Sequence, residues 1–278
     1  MDTSSRLTTL ERWLIALPLA AGVVFGLFPL LAPEQFASLI GFPGNDPFIY
    51  RLAGAATFGY AVGLALGLWQ GTWAAVKLVV IAVLTFNLAS LYACGSEFIR
   101  TASTGGTKPV VYLILITSVF FVAMTATLLY RHRQDAKLPP TIASWVVILI
   151  VIATILAATF GLTPLFYPQI FKLVGYKVTD IFLYGQAGAA TLGYAVMGIF
   201  ELRSRNWPEL RSPFVMAAIF NGVSFLACLL SIALSQPLFL PVLVAIASLA
   251  VTIASIVALR TNGGASPSAV LATPVARS

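Results

Sequence analysis

The longest stretch of this chain without a charged side chain spans 48 residues, 212–259, and six further stretches of 18 residues or more are also uncharged. These shorter stretches are 13–32, 52–69, 78–95, 109–130, 141–171 and 181–200. A helix needs about 17 to 25 apolar residues to cross the hydrocarbon core of a bilayer, so each is long enough for one span. The turn-forming Ser235, Gln236 and Pro237 divide the longest stretch into two. The sequence therefore predicts an all-α integral membrane protein with eight transmembrane helices.

Composition supports lipid as the solvent of this chain. Hydrophobic residues make up 59% of it and charged residues only 9%, against about 25% charged in an ordinary soluble domain. The runs are apolar on every side, whereas strands of a membrane barrel alternate apolar and polar positions. Helices are therefore favoured over a barrel, because they satisfy their own backbone hydrogen bonds in lipid.

The basic residues predict an orientation. In an eight-helix topology, eleven of the 16 lysines and arginines fall on the side of both termini. The other side holds five, namely Arg51, Arg100, Lys108, Lys172 and Lys177. Cytoplasmic loops carry the excess of positive charge, so both termini are predicted to be cytoplasmic in a multi-pass protein of the cell membrane. The net charge of +7 thus reflects topology and does not indicate a nucleic-acid partner.

An internal repeat relates the two halves of the chain. Residues 50–62 and 184–196 are identical at ten of thirteen positions, an offset of 134. Matches before this motif have an offset of 135, and Pro109 aligns with Pro241 at 132. Because each half has four predicted spans, the halves would be parallel and related by a pseudo-two-fold axis along the membrane normal. This predicts two tandem four-helix repeats, 1–130 and 141–260, with a cytoplasmic linker at 131–140 and a disordered cytoplasmic tail at 261–278.

Polar residues in the third span of each repeat are the main candidate site. Asn87, Ser90 and Cys94 lie on one helical stripe, which recurs at the equivalent positions of the second repeat. An unpaired carboxamide in hydrocarbon is unfavourable by several kcal/mol, so these stripes need partners. The ligand-binding candidates are Thr57, Tyr60, Asn87, Ser90, Thr191, Tyr194, Asn221 and Ser224.

Two functions follow from these residues. In the first, the stripes converge at the pseudo-axis and hold a small neutral or lipid-like molecule for binding or transport between the repeats. In the second, each asparagine only clamps its own helices, and the protein is a structural or accessory subunit. The second function uses the ridge of small residues Ala55, Gly59, Gly63 and Gly67 to pack against a membrane-protein partner or a second copy.

Other kinds of site find little support in the sequence. No metal is expected at Cys94 and Cys228, because a metal site needs several histidine or carboxylate ligands and only Glu97 lies near either cysteine in sequence. No catalytic constellation is recognisable, and we expect neither a cofactor nor enzyme activity. His132 is assigned to a basic cytoplasmic cluster near anionic lipid.

Overall fold

A computed structural model describes residues 5–103, 105–135, 139–234 and 237–263, and within these ranges the chain is helical without a β-strand. The first half contains α1 (Thr9–Leu31), α2 (Pro33–Leu39), α3 (Pro47–Gln70), α4 (Trp73–Thr101) and α5 (Pro109–Arg131). The second half contains α6 (Ser144–Phe166), a 3-10 helix (Pro168–Val174), α7 (Ile181–Ser204), α8 (Trp207–Ala233) and α9 (Phe239–Gly263).

Seven of the described helices are long and apolar enough to cross a membrane: α1, α3, α4, α5, α6, α8 and α9. The helix predicted as the sixth span, α7, has 24 residues but is not among them. Its sequence is diluted by glycine, alanine, two tyrosines and Gln186, and its last turns carry Glu201 and Arg203. The chain is therefore a helical, multi-pass membrane protein, with α7 less apolar than the other long helices.

Local sequence explains where the helices begin and end. Proline, whose missing N–H is not needed in the first turn, opens α2, α3 and α5. Thr8 and Glu11 form a reciprocal capping box at the start of α1. Gly71 has a φ of +71° and lets α3 turn directly into α4. The helices are thus bounded by residues that suit their termini.

Some predicted boundaries differ from the structure. The fifth predicted span, 141–171, is shortened because α6 ends at Phe166, and the 3-10 helix occupies the remainder. Short helices lie at the corresponding place in both halves, as α2 and this 3-10 helix. Helix α9 continues to Gly263, three residues into the predicted tail, whose residues 264–278 lie outside the described ranges. Of the predicted break at 235–237, only Pro237 is described.

Helix pairs in the two halves pack through matching glycines. A Cβ atom at Gly54 of α3 would lie 2.6 Å from the carbonyl oxygen of Gly26 in α1. A Cβ atom at Gly188 of α7 would lie 2.5 Å from the carbonyl oxygen of Gly161 in α6. Both distances are too short for a side chain, so glycine permits α1 to contact α3, and α6 to contact α7, through their backbones.

Tyr60 and Tyr194 fill the centre between the two halves. The Tyr60 hydroxyl donates to the carbonyl oxygen of Ala190 at 2.6 Å, and the Tyr194 hydroxyl donates to that of Ala56 at 2.9 Å. Their ring centroids are 5.0 Å apart. Each tyrosine thus hydrogen-bonds to the helix that carries the other, and aromatic rings occupy the position where a shared cavity was expected.

Candidate ligand cavities

Two cavities flank this tyrosine pair, one in each half. The first cavity, of about 190 Å³, lies between α1, α3, α4 and α5 and is closed by the first turns of α7. The second cavity, of about 150 Å³, lies between α6, α7, α8 and α9 and is closed by Ile49 and Leu52 of α3. Both are lined mainly by apolar side chains.

The linings of the two cavities correspond position by position. Equivalent lining residues of α1 and α6, such as Pro18 and Ala153, are 135 residues apart. The separation is 134 between α3 and α7, and also between α4 and α8. On α5 and α9 the separation is 130, and it pairs the buried Ser118 with the buried Ser248. The predicted offset of 132 was therefore wrong for this helix. A shift of two residues turns a side chain about 200° around the helix, so the two alignments place different faces in the cavity. The prolines used for the alignment lie at helix starts, which need not share a register.

The eight candidate residues divide equally between the cavities. Thr57, Tyr60, Asn87 and Ser90 line the first cavity. Their equivalents Thr191, Tyr194, Asn221 and Ser224 line the second. The two stripes do not converge on the predicted pseudo-axis, because Tyr60 and Tyr194 lie between them. The candidates therefore line two separate cavities, where a single shared one was expected.

Several of these polar groups are already hydrogen-bonded within their own helix. The side-chain amide of Asn87 donates to the carbonyl oxygen of Val83 at 2.8 Å, and that of Asn221 donates to Ala217 at 2.9 Å. The hydroxyls of Thr57 and Thr191 each donate at 2.9 Å to the carbonyl four residues earlier. These bonds use the hydroxyl donors of the threonines and one of the two N–H donors of each asparagine side chain.

Ser90 and Ser224 differ because of one residue on the closing helix. The Ser90 hydroxyl donates to Gln186 Oε1 at 2.8 Å across the first cavity. Leu52 is the residue equivalent to Gln186, and it lines the second cavity, where Ser224 Oγ is buried without a hydrogen bond among the described residues. Gln186 Nε2 is likewise buried and unpartnered. Each cavity therefore contains an unused polar atom.

The second cavity also extends to polar residues that sequence reasoning missed. Thr154, Gly198 and Glu201 line it, and no equivalent of the three lines the first cavity. Leu64, 1% exposed, occupies the position equivalent to Gly198 and fills the corresponding space in the first half. The repeat alignment contained this signal, since Gly67 aligns with Glu201.

A polar cluster joins the start of α1 to the end of α5. His132 Nε2 lies 3.1 Å from Glu11 Oε1, and the His132 ring stacks on Trp73 with centroids 4.2 Å apart. The Glu11 residue is 1% exposed, and Arg131 lies 3.5 Å from the same carboxylate oxygen. The assignment of His132 to a lipid-facing basic cluster was therefore wrong. The sequence separates His132 from Glu11 by 121 residues, so no local pattern linked them.

At the opposite end, an aspartate from each half binds the loop of the other. Asp46 accepts hydrogen bonds from the backbone N–H groups of Lys177 and Val178 at 3.2 and 3.1 Å. Asp180 accepts from the Gly44 N–H at 3.1 Å and the Tyr50 hydroxyl at 2.9 Å. Burial is the largest cause of the raised pKa of Asp180; the charge of Asp46 adds to it, and the bonds from Tyr50 and Gly44 oppose it.

Comparisons with known proteins do not assign a function to these cavities. No family model, curated protein or solved structure matches the chain. Within the described ranges, histidine, cysteine, aspartate and glutamate form no group of three that could hold a metal ion. Cys94 and Cys228 are buried and free. The cavities themselves are therefore the basis for assigning a function.

Proposed function

We propose that this protein binds a small neutral or lipid-like molecule in each of its two cavities, without acting on it chemically. The observation that carries the proposal is the position-by-position correspondence of the two linings. An apolar cavity of about 150 Å³ in another protein is large enough to bind benzene. These cavities therefore suit a molecule of about that size, or one segment of a longer lipid chain.

The proposal includes a membrane topology of eight spans arranged as two tandem repeats. Helix α7, with 24 residues, is about 36 Å long at 1.5 Å per residue, which exceeds the hydrocarbon thickness of about 30 Å. Its tyrosines and glycines face protein neighbours, so it needs less apolar surface than a lipid-facing helix. An even number of spans leaves both termini on one side, and the distribution of basic residues favours the cytoplasm.

The packing of the small-residue ridge on α3 favours a binding role over an accessory role. An accessory subunit would present this ridge to a partner. Instead, a Cβ atom at Gly63 would lie 3.2 Å from Met216 of α8, and one at Gly67 would overlap Val76 of α4. The ridge is used for packing within the chain and leaves no small-residue face of α3 for a partner.

Photolabelling tests the two binding sites separately. The probe is trifluoromethyl phenyl diazirine, a small aromatic that inserts into neighbouring side chains on illumination, and the adducts are mapped by peptide mass spectrometry in nanodiscs. We expect adducts in both cavities. Ala53→Leu should abolish those of the first cavity only, and the equivalent Ala187→Leu those of the second only, because each alanine lines its own cavity.

The matched control is Ala123→Leu, the same substitution at an exposed position of α5. It should leave both sets of adducts unchanged, and labelling of the lipid-facing Ile116 reports folding and probe delivery in every variant. Adducts confined to lipid-facing residues in the wild type would refute the proposed function. Cavity adducts that persist in both filling variants would refute it equally.

A further inference from the structure

We propose that the second cavity selects molecules that carry an amine beside an apolar body, and that Glu201 receives the amine. This inference rests on the proposed function and adds the ligand class of one of its two sites. It is carried by the extension of the second cavity, where two buried polar side chains have no partner among the residues that the structure describes.

Glu201 is the first of these side chains. It is 7% exposed and lines the second cavity. Within the described part of the chain, its carboxyl group has neither a hydrogen bond nor an ion pair, while its backbone carbonyl accepts from the N–H of Arg205 at 2.9 Å. A carboxyl group buried among apolar side chains is strongly unfavourable without a partner, so Glu201 is suited to bind a donor supplied by a ligand.

Three cationic side chains at this end of the bundle, Lys77, Arg203 and Arg205, contact groups other than Glu201, and Arg211 is exposed. Lys77 Nζ lies 3.2 Å from Glu209 Oε1, and Arg205 Nε donates to the carbonyl oxygen of Leu202 at 2.8 Å. The Arg203 guanidinium lies over the Phe200 ring, 5.3 Å from its centroid. In the described ranges, this end of the bundle therefore contains basic residues, but none of them pairs with Glu201.

Thr154 is the second unpartnered side chain. Its Oγ1 atom is buried without a hydrogen bond, and a Cβ atom at Gly198 would overlap it. Leucine occupies the positions equivalent to Thr154 and Gly198 in the first half, as Leu19 and Leu64, and both pack in the core. An ammonium group has three donors, so a ligand amine can bond to the Glu201 carboxylate and retain a donor for Thr154.

The first cavity presents the opposite chemistry. Its unpartnered polar atom is the donor Gln186 Nε2, and a glycine, Gly67, stands at the position equivalent to Glu201. A donor on the protein favours a ligand with an acceptor, such as an alcohol or carbonyl oxygen. An amine ligand should therefore distinguish the two cavities, whereas an alcohol of the same shape should not be enriched in the second.

Competition between matched molecules tests this selectivity. Benzylamine and benzyl alcohol have the same shape and differ in the head group, and each is titrated at neutral pH against the photoprobe in nanodiscs. We expect benzylamine to suppress second-cavity adducts at about a tenfold lower concentration than benzyl alcohol, because a charge-assisted hydrogen bond is about twice as strong as a neutral one. In the first cavity, the amine should show no such advantage.

Glu201→Gln keeps the size and hydrogen-bonding capacity of the side chain. It should remove the tenfold advantage of benzylamine, while the concentration of benzyl alcohol needed to suppress the adducts stays within about twofold of its wild-type value. The matched control is Glu209→Gln, which removes a buried acid that does not line the cavity and should preserve the advantage. Equal potency of the two competitors in the wild type would overturn the inference but not the proposed function. An equal loss in both variants would overturn it too, because it would indicate a general effect of removing a negative charge from this end of the bundle. Absence of cavity adducts would refute the proposed function itself.

Discussion

Replacing Gly59 with alanine tests whether the tyrosine hydroxyls fix the distance between the halves. The new methyl group would overlap the Tyr194 hydroxyl, and its next contacts are Phe220 Cβ at 3.1 Å and the carbonyl oxygen of Met216 at 3.2 Å. Overpacking of this kind is unfavourable by about 2 kcal/mol, and displacing the hydroxyl loses a hydrogen bond of about 1 kcal/mol. Alanine recovers about 1 kcal/mol of helix propensity, so Gly59→Ala should destabilise by about 2 kcal/mol.

Removing the hydroxyl should then rescue the alanine variant. Tyr194→Phe alone loses about 1 kcal/mol. In the double variant the overlap is gone and the two remaining contacts can relax by a few tenths of an ångström, so the net loss should fall below about 1 kcal/mol. The interaction energy between the two substitutions is therefore about 2 kcal/mol in favour of the double variant, well above the few tenths expected for independent sites.

The equivalent pair in the other half provides a matched control in which rescue should fail. A Cβ atom at Gly193 would overlap the Tyr60 hydroxyl but would also lie 2.7 Å from the carbonyl oxygen of Ala82. That oxygen belongs to backbone, and Tyr60→Phe does not move it. Equilibrium unfolding by titration with a denaturing detergent, followed by circular dichroism, measures all six variants. Additive energies for Gly59→Ala and Tyr194→Phe, or equal rescue in both halves, would refute this reasoning.

Two further predictions concern the ends of the bundle. Because the pKa of Asp180 is raised above its usual 3.8, the folded protein holds this proton more tightly than the unfolded chain. The stability it contributes below about pH 4 is lost as the pH rises through the folded-state pKa. Asp180→Asn should therefore flatten the decline in the free energy of unfolding measured from pH 4 to 7. An unchanged slope would contradict the assignment. His132→Leu should destabilise by about 1 to 3 kcal/mol because Glu11 loses a buried partner. Combination with Glu11→Gln should be less than additive in the same unfolding assay, whereas strict additivity would show that the two side chains are not coupled.

Most of the helical framework could be predicted from sequence because its signals are local or repeated. Uncharged runs locate the long helices, and the match between 50–62 and 184–196 aligns α3 with α7, whose equivalent residues line equivalent cavities. Fine register could not be predicted in the fourth helix of each half, where only a proline at the helix start guided the alignment. A helix start can move along the chain by two residues between the halves, so a proline there is a poor guide to register. The buried Ser118 and Ser248 lie on the packed face of each helix, which fixes the register.

The eight candidate residues remain a predicted binding site, and their arrangement in the structure differs from the expected one. The eight candidates do line cavities, yet their convergence depended on what fills the pseudo-axis, which is decided by the long-range bonds from Tyr60 and Tyr194. Glu201 was missed because a carboxylate near a helix end is usually solvated. It lines the extension of the second cavity together with Thr154 and Gly198, where the first half has leucine at the positions equivalent to the last two.

The contacts exchanged between the halves constrain when each half can finish folding during synthesis. Asp46 precedes its hydrogen-bonding partners Lys177 and Val178 by 131 and 132 residues, and Tyr60 precedes Ala190 by 130. When the first four long helices have left the ribosome, neither side chain can yet have its partner. Domains generally fold as units during synthesis, but here the first half becomes complete only when the second arrives. The nascent chain must therefore hold one half open in the bilayer until its own second half closes it.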